Sequence, residues 1–169
     1  MRKLFFSNGS PFARRVRIVL EEKALGYDQD IFDALRPIDQ IKEINHENFS
    51  TYRSNIKSLY QNVFSKSSFT GSPFNTSIFE SFFDDKNLEF KIIGYQDHNN
   101  QLLSFSSYFI VHNTLYSYYI GLDYHMNSTY QLYNRMLYDM LEISIRNRVE
   151  KVIYGRTAAE LKSTIGAVP

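Results

Sequence analysis

The chain has 169 residues, of which 43% are hydrophobic and 22% charged, and its 19 Lys and Arg residues nearly balance its 18 Asp and Glu residues. This length predicts one domain, or one domain with an added fragment, and allows a sizeable core. The absence of cysteine excludes a disulfide scaffold, a thiolate metal site and a cysteine nucleophile. The net charge of +1 gives no electrostatic footprint for nucleic acid, and no apolar run reaches the length of a signal peptide or membrane span. We therefore expect a cytoplasmic protein without nucleic-acid or membrane partners.

The composition changes abruptly near Pro37. Alanine occurs at positions 13, 24 and 34 and is then absent until Ala158. Residues 1–37 carry a net charge of +2, whereas residues 38–169 carry a net charge of −1. This change predicts a chain of two segments, 1–37 and 38–169, of different origin.

The first segment predicts a β-α-β unit. Lys3–Phe6 is a short apolar run that ends at a turn cluster, and Tyr27–Phe32 alternates as a second strand would. Between them, Ser10 followed by Pro11 is typical of a helix N-terminus, and apolar residues recur at helical spacing to about Leu25.

A sequence run within this unit has a specific resemblance. Residues 10–23 read SPFARRVRIVLEEK and resemble the opening of the thioredoxin-like domain of glutathione S-transferases. In serine-type members, the serine of this run lies beside the glutathione sulfur, so the resemblance implies that role for Ser10 and glutathione as a ligand. The N-cap role is the favoured explanation of Ser10, because the later strands and the Glu-Ser pair of those enzymes are not found after Pro37.

The second segment predicts two helices, a three-stranded antiparallel meander, a crossover helix and a strand parallel to the third. A polar loop is expected before the crossover helix, and His112-Asn113 suits a two-residue hairpin turn. The expected elements are a helix within Ile38–Ser65, a short helix capped at Asn75-Thr76, strands Glu89–Tyr95, Gln101–Val111 and Thr114–Leu122, the loop Asp123–Ser128, a helix from Thr129 to about Asn147, and a strand Glu150–Tyr154. The predicted fold class is therefore α/β with a mixed sheet, preceded by the short β-α-β segment.

This order of elements is that of the core of GNAT acyltransferases. Three parts of the sequence also resemble bacterial GNAT-type N-acyltransferases of the branch related to the Fem-type enzymes that build peptidoglycan bridges: Tyr119–Tyr124, Leu132–Asp139 and Gly155–Ala167. The resemblance covers about residues 49–169, and the opening strand and the last strands of the family are expected to be missing. A truncated core would leave sheet edges unpaired, which predicts homodimerisation.

The resemblance implies an acetyl-CoA or other acyl-CoA donor and a small-molecule amine acceptor, with a role in bacterial cell-envelope precursor metabolism. Asp123, Arg156, Glu160 and Lys162 are the candidate catalytic residues, since they follow predicted strand ends. Unpaired amides at a helix N-terminus favour phosphate, so the preceding loop, with Tyr124, Asn127, Ser128 and Thr129, is the candidate cofactor site.

Several of these residues have structural alternatives. Arg156 can pair with Glu160 or Asp123, and Glu160 can close a capping box with Thr157. Tyr116, Tyr118 and Tyr119 can pack on the sheet or line a substrate site; these three are the tyrosines of the third meander strand. The four histidines have no metal-ligand spacing, so no metal site is expected. A non-catalytic fragment or interaction protein is a further interpretation.

Overall fold

The computed structural model describes residues 40–67, 71–155 and Lys162, and all structural statements below concern these residues. The predicted β-α-β unit with Ser10, and the candidate residues Arg156 and Glu160, lie outside the described residues. Within the described ranges, none of the helices has the length and apolar composition needed to cross a bilayer.

A five-stranded mixed sheet organises the described chain, with its strands in the order β1-β2-β3-β4-β5. The first four strands pair antiparallel, and β5 pairs parallel to β4. The strands are β1 (Gln40–Ile44), β2 (Glu89–Gln96), β3 (Leu102–Val111), β4 (Thr114–Leu122) and β5 (Lys151–Ile153). The helices are α1 (His46–Lys66), a 3₁₀ turn (Thr76–Ile78), α2 (Phe79–Asp84), α3 (Tyr124–Tyr130) and α4 (Leu132–Arg146). The meander, the crossover and the parallel strand confirm the predicted α/β fold class.

The expectation that the opening strand is missing is wrong. Residues 40–44 form β1 on the edge of the sheet, with Ile44 opposite Ile92 of β2. The predicted helix begins later than expected because Asn45 caps it: the Asn45 side chain accepts the N–H groups of Glu47 and Asn48. The Asn48 side chain in turn accepts the Asn45 N–H at 3.0 Å, which completes a capping box.

The hairpin between β3 and β4 forms as predicted. His112 and Asn113 have φ angles of 46° and 57°, so both lie in the left-handed region that a type I′ turn requires. The cap predicted at Asn75 is also confirmed, since its side chain accepts the Ser77 N–H at 3.1 Å. These two local signals place the meander and the α2 region correctly.

The polar loop predicted at residues 123–128 is instead part of a helix. Asp123 caps α3 by accepting the N–H groups of His125 and Met126 at 2.8 and 3.3 Å. Gln131, with a φ of 51°, then separates α3 from α4. The predicted single crossover helix is therefore two helices, with a left-handed residue between them.

Apolar side chains from both faces of the sheet form two cores. The face covered by α1 and α2 includes Ile44, Phe49, Ile56, Phe79, Ile92 and Phe105. The face covered by α4 includes Tyr95, Leu103, Leu115, Leu132, Met136 and Met140. The sheet therefore forms the middle layer of three, and both faces of its central strands are buried.

Gly121 is the point where α1 approaches β4 most closely. A Cβ added at Gly121 would lie 2.7 Å from Leu59 Cβ of α1 and would overlap the ring of Phe105. Because Leu59 Cβ is close to the helix backbone, the side chain cannot swing away, and we expect Gly121→Ala to lower the free energy of unfolding by about 3 kcal/mol. Urea denaturation measures this change.

Gly155→Ala is the matched control, because a Cβ added there meets no atom of the described residues within 4 Å. It should leave the urea midpoint within error of the parent protein. Equal midpoints for the Gly121 and Gly155 variants would contradict the close approach of α1 to β4.

Candidate functional site

A bulge interrupts β4 at Tyr118 and Tyr119. Ser106 pairs with Ile120 and Tyr108 pairs with Ser117, so two steps along β3 match three steps along β4. Ser107, buried in the middle of β3, fills the gap: its hydroxyl accepts the Tyr119 N–H at 2.9 Å and donates to the Tyr119 C=O at 2.8 Å. One serine side chain thus replaces the strand hydrogen bonds that the extra residue displaces.

The bulge changes where two neighbouring tyrosines point. Consecutive residues of a regular strand point to opposite faces of the sheet. The rings of Tyr118 and Tyr119 instead lie 4.4 Å apart between centroids, in an edge-to-face contact. Tyr119 packs against the core beneath α1, whereas Tyr118 is 40% exposed. Of the two interpretations of these tyrosines, packing therefore describes Tyr119, and Tyr118 is left at the surface.

The two parallel strands pair only briefly and then separate. The register between β4 and β5 runs from Thr114 opposite Lys151 to Tyr116 opposite Ile153. Past Tyr116, the edge of β4 has no strand partner among the described residues, and a small cleft of about 70 Å³ lies there. The described residues that line the cleft are Ser106, Ser117, Tyr118, Ile120, Tyr133, Met136, Leu137, Met140, Tyr154, Gly155 and Lys162.

One charged side chain stands among these lining residues. Lys162 is 8% exposed, and its ammonium group donates a hydrogen bond to the Gly155 carbonyl. Burial lowers the pKa of Lys162 below that of an ordinary lysine, because the charged form loses hydration. The cleft therefore holds an amine that exchanges its proton more readily than a surface lysine does.

Tyr133 and Tyr154 also line the cleft. The Tyr154 hydroxyl donates to the Leu137 carbonyl at 2.8 Å and so ties the chain after β5 to α4. Burial, with a smaller contribution from nearby Tyr124, raises the pKa of Tyr133. Tyr133 therefore keeps its proton at neutral pH, whereas the pKa of Lys162 moves toward neutrality.

The predicted catalytic residues do not all meet in the cleft. Lys162 lines it, but Asp123 is the N-cap of α3 and is not among the described lining residues. The carboxylate of Asp123 accepts two backbone N–H groups, which is a structural role. Of the candidates inside the described chain, only Lys162 is thus placed at the cleft.

The predicted cofactor residues have partners within the protein. Asn127 accepts the Tyr133 N–H of α4 at 3.0 Å, and the Ser128 hydroxyl donates to the His125 carbonyl at 3.2 Å. The Tyr124 ring lies beneath the Lys66 ammonium, 3.9 Å from its centroid, and Thr129 is exposed. The side chains of Asp123 and Asn127 therefore accept hydrogen bonds from backbone N–H groups at the starts of α3 and α4. A bound phosphate would need these same N–H groups.

The serines of β3 are not among the site residues predicted from the sequence. Ser106 lines the cleft and Ser107 holds the bulge, and both are buried. A signal was present, because Ser104, Ser106 and Ser107 interrupt an otherwise apolar and aromatic strand. Polar residues in a strand that is buried on both faces need partners, which marks them as candidates for a special role.

Metal ligands do not assemble in the described chain. Within residues 40–67 and 71–155 and at Lys162, no group of three or more His, Asp or Glu side chains could hold a metal ion.

Comparison with solved structures finds this fold in proteins that include two candidate acetyltransferases. A candidate acetyl transferase from Pyrococcus furiosus is 16% identical over 77% of this chain and 94% of its own, with a TM-score of 0.55. A candidate acetyltransferase from Clostridium difficile 630 is 12% identical over 74% of this chain and 85% of its own, with a TM-score of 0.52. A tetramutant protein from Bacillus halodurans is 11% identical over 77% and 94%, with a TM-score of 0.54. No protein-family model and no curated protein matches the sequence.

These similarities show the fold: the described chain has a mixed α/β architecture that it shares with these candidate acetyltransferases.

Replacing Ser107 tests the bulge directly. Ser107→Ala leaves the Tyr119 N–H and C=O without the hydroxyl that serves both groups. Because buried unsatisfied backbone groups are costly, we expect the free energy of unfolding to fall by about 1–3 kcal/mol. Chemical denaturation measures the change.

Ser104→Ala provides the control from the same strand. Ser104 is fully buried, and its hydroxyl has no hydrogen-bond partner in the described part of the chain. Its removal should therefore leave stability unchanged or slightly higher. A larger loss for the Ser104 variant than for the Ser107 variant would argue against Ser107 as the residue that holds the bulge.

Proposed function

We propose that the protein is an acyl-CoA-dependent N-acyltransferase, which moves an acyl group from a thioester to an amine. The observation that carries this proposal is the cleft between β4 and β5, which opens past the last strand pair at Tyr116 and Ile153. Its position in a GNAT-type fold supports the proposal, since function on a shared fold depends on the site.

The cleft fits the thioester end of such a donor. Met136, Leu137 and Met140 of α4 provide an apolar wall, and the edge of β4 past Tyr116 has no strand partner among the described residues. A backbone N–H on such an edge would be a suitable donor to the carbonyl oxygen of the thioester. A bound donor would supply an activated acyl carbonyl and a thiol leaving group.

The pyrophosphate end of the donor has a poorer fit at α3 and α4, because Asp123 and Asn127 cap those helices. Arg156, one of the candidate catalytic residues, remains a proposed partner for a phosphate of the donor.

We assign proton transfer to Lys162. An amine acceptor reaches the cleft mainly as an ammonium ion, which must lose a proton before it can attack. The lowered pKa of Lys162 favours its neutral form, and a neutral Nζ can take that proton and pass it to the departing sulfur. The second proton, which the nitrogen loses as the amide forms, passes to solvent. Asp123 is not among the described residues that line the cleft. Glu160 remains a proposed carboxylate for the same proton transfer.

This role predicts a specific response to substitution and pH. Lys162→Met should lower kcat by about 100-fold or more, and Lys162→Arg should do the same because a guanidinium does not deprotonate. For the parent protein, kcat should rise with pH as Lys162 loses its proton and level off below the pKa of a free lysine. Thiol release from acetyl-CoA measures these rates.

Lys66→Met is the matched control, because Lys66 contacts Tyr124 and is not among the described lining residues of the cleft. It should keep the parent kcat and pH profile. Activity retained by Lys162→Arg would show that the residue supplies charge, which contradicts proton transfer at Nζ.

The resemblance to the Fem-related branch supports a narrower proposal, in which the acceptor is an amine of a cell-envelope precursor. Its basis is the sequence resemblance at Tyr119–Tyr124, Leu132–Asp139 and Gly155–Ala167, the last of which lies mostly outside the described chain. A lysine-containing peptidoglycan stem peptide offered as acceptor tests it, and failure of acylation would exclude it.

A further inference from the structure

The cleft contains an amine at the place where the acyl group of the proposed donor would bind. Lys162 is the one described lining residue that carries an amine, and its side chain is largely buried. The cleft has a volume of only about 70 Å³. A short acyl group bound there would therefore lie against the lining residues, and Nζ would stay close to the acyl carbon for as long as the donor is bound.

A hydrogen bond holds Nζ near the end of β5. The Lys162 side chain donates to the carbonyl of Gly155, which lies shortly after Ile153, the last residue of the strand. A neutral amine can still donate this bond through one of its N–H groups, so loss of a proton does not release the side chain. Burial lowers the pKa of Lys162, which raises the neutral fraction at a given pH. Lys162 therefore combines a fixed position with a larger share of the nucleophilic form than a surface lysine has.

The other nucleophiles among the described lining residues are hydroxyls. Ser106 and Ser117 line the cleft, but a serine hydroxyl is a weak nucleophile until an adjacent base activates it. Burial raises the pKa of Tyr133, and the Tyr154 hydroxyl donates to the Leu137 carbonyl. The sequence contains no cysteine, so no thiol competes. The amine is therefore the strongest nucleophile in the described part of the cleft.

We propose that Lys162 is itself acylated when a thioester donor is bound and no amine acceptor is present. This inference rests on the proposed N-acyltransferase function, which supplies the acyl-CoA. The neutral Nζ bonds to the acyl carbon, the carbon–sulfur bond breaks, and the electron pair of that bond leaves with the sulfur. One Nζ proton passes to the sulfur, so the products are an amide on Lys162 and the free thiol. The amide nitrogen is not basic, and the modified residue no longer takes a proton from an acceptor.

Mass spectrometry of the full chain, incubated with acetyl-CoA alone, tests this proposal. Peptides taken over a time course give the acetylation rate of each lysine. We expect Lys162 to be acetylated about tenfold faster than Lys57 and Lys86, two exposed lysines, because proximity to a bound donor outweighs exposure. Equal rates at the three lysines would overturn self-acylation.

A donor without coenzyme A separates this proposal from the function on which it rests. Acetylation by p-nitrophenyl acetate reports the reactivity of Nζ without recognition of coenzyme A, and preference for Lys162 with both donors supports the proposal. Preference with p-nitrophenyl acetate alone would contradict both self-acylation and the binding of acyl-CoA in the cleft. Transfer from acetyl-CoA to the lysine-containing stem peptide, with no acetylation of Lys162 in the absence of that peptide, would overturn self-acylation and leave the acyltransferase function standing.

Lys162→Arg and Lys57→Arg are the matched variants, since each replaces one amine by a guanidinium that stays protonated. Intact-mass measurements should show the parent and Lys57→Arg gaining one acetyl group at the same rate, and Lys162→Arg gaining it about tenfold more slowly. Thermal unfolding checks that both variants fold. Equal rates of mass gain in the two variants would contradict acylation at Lys162.

Discussion

Two hydrogen bonds between the Ser107 hydroxyl and the backbone of Tyr119 set the geometry of the candidate site. A bulge adds a residue to one strand and increases its local twist. The Ser107 hydroxyl satisfies both backbone groups that this extra residue removes from the ladder, so the bulge is stable inside a buried sheet. The parallel pairing of β4 with β5 ends at Tyr116, just before the bulge, and the cleft begins there.

Two consequences follow from this one feature. On the α4 face, the separated strands expose an edge of β4 and leave room for Lys162 to reach the cleft. On the face beneath α1 and α2, the bulge brings Tyr118 and Tyr119 to the same side, where Tyr119 packs and Tyr118 joins the other exposed rings.

Much of the fold could be predicted because its signals are local. The Asn75 cap, the His112-Asn113 turn and the alternation of the meander each act over a few residues. The start of α1 was misplaced because the edge strand β1 buries only Ile44 and carries no periodic apolar pattern. The α3 helix was missed because Asp123 and Asn127 act as caps, and a polar capping residue in a sequence also resembles a loop residue.

The site was harder to predict than the fold. Lys162 was selected from its position after a strand end, and the structure places it in the cleft. Asp123 was selected for the same reason, but its carboxylate is used by backbone amides, which a linear pattern does not show. Ser107 was missed because a bulge depends on the register between two strands, and register is set by pairing across the sheet.

Methionine methyl NMR tests the central claim, that the cleft between β4 and β5 binds the thioester end of an acyl-CoA. Met136 and Met140 line the cleft, whereas Met126 lies on α3, where the phosphate site was predicted. Addition of a non-reactive acyl-CoA thioether should shift the methyl signals of Met136 and Met140, and glutathione should shift neither. Shifts confined to Met126, or equal shifts with glutathione, would contradict the account.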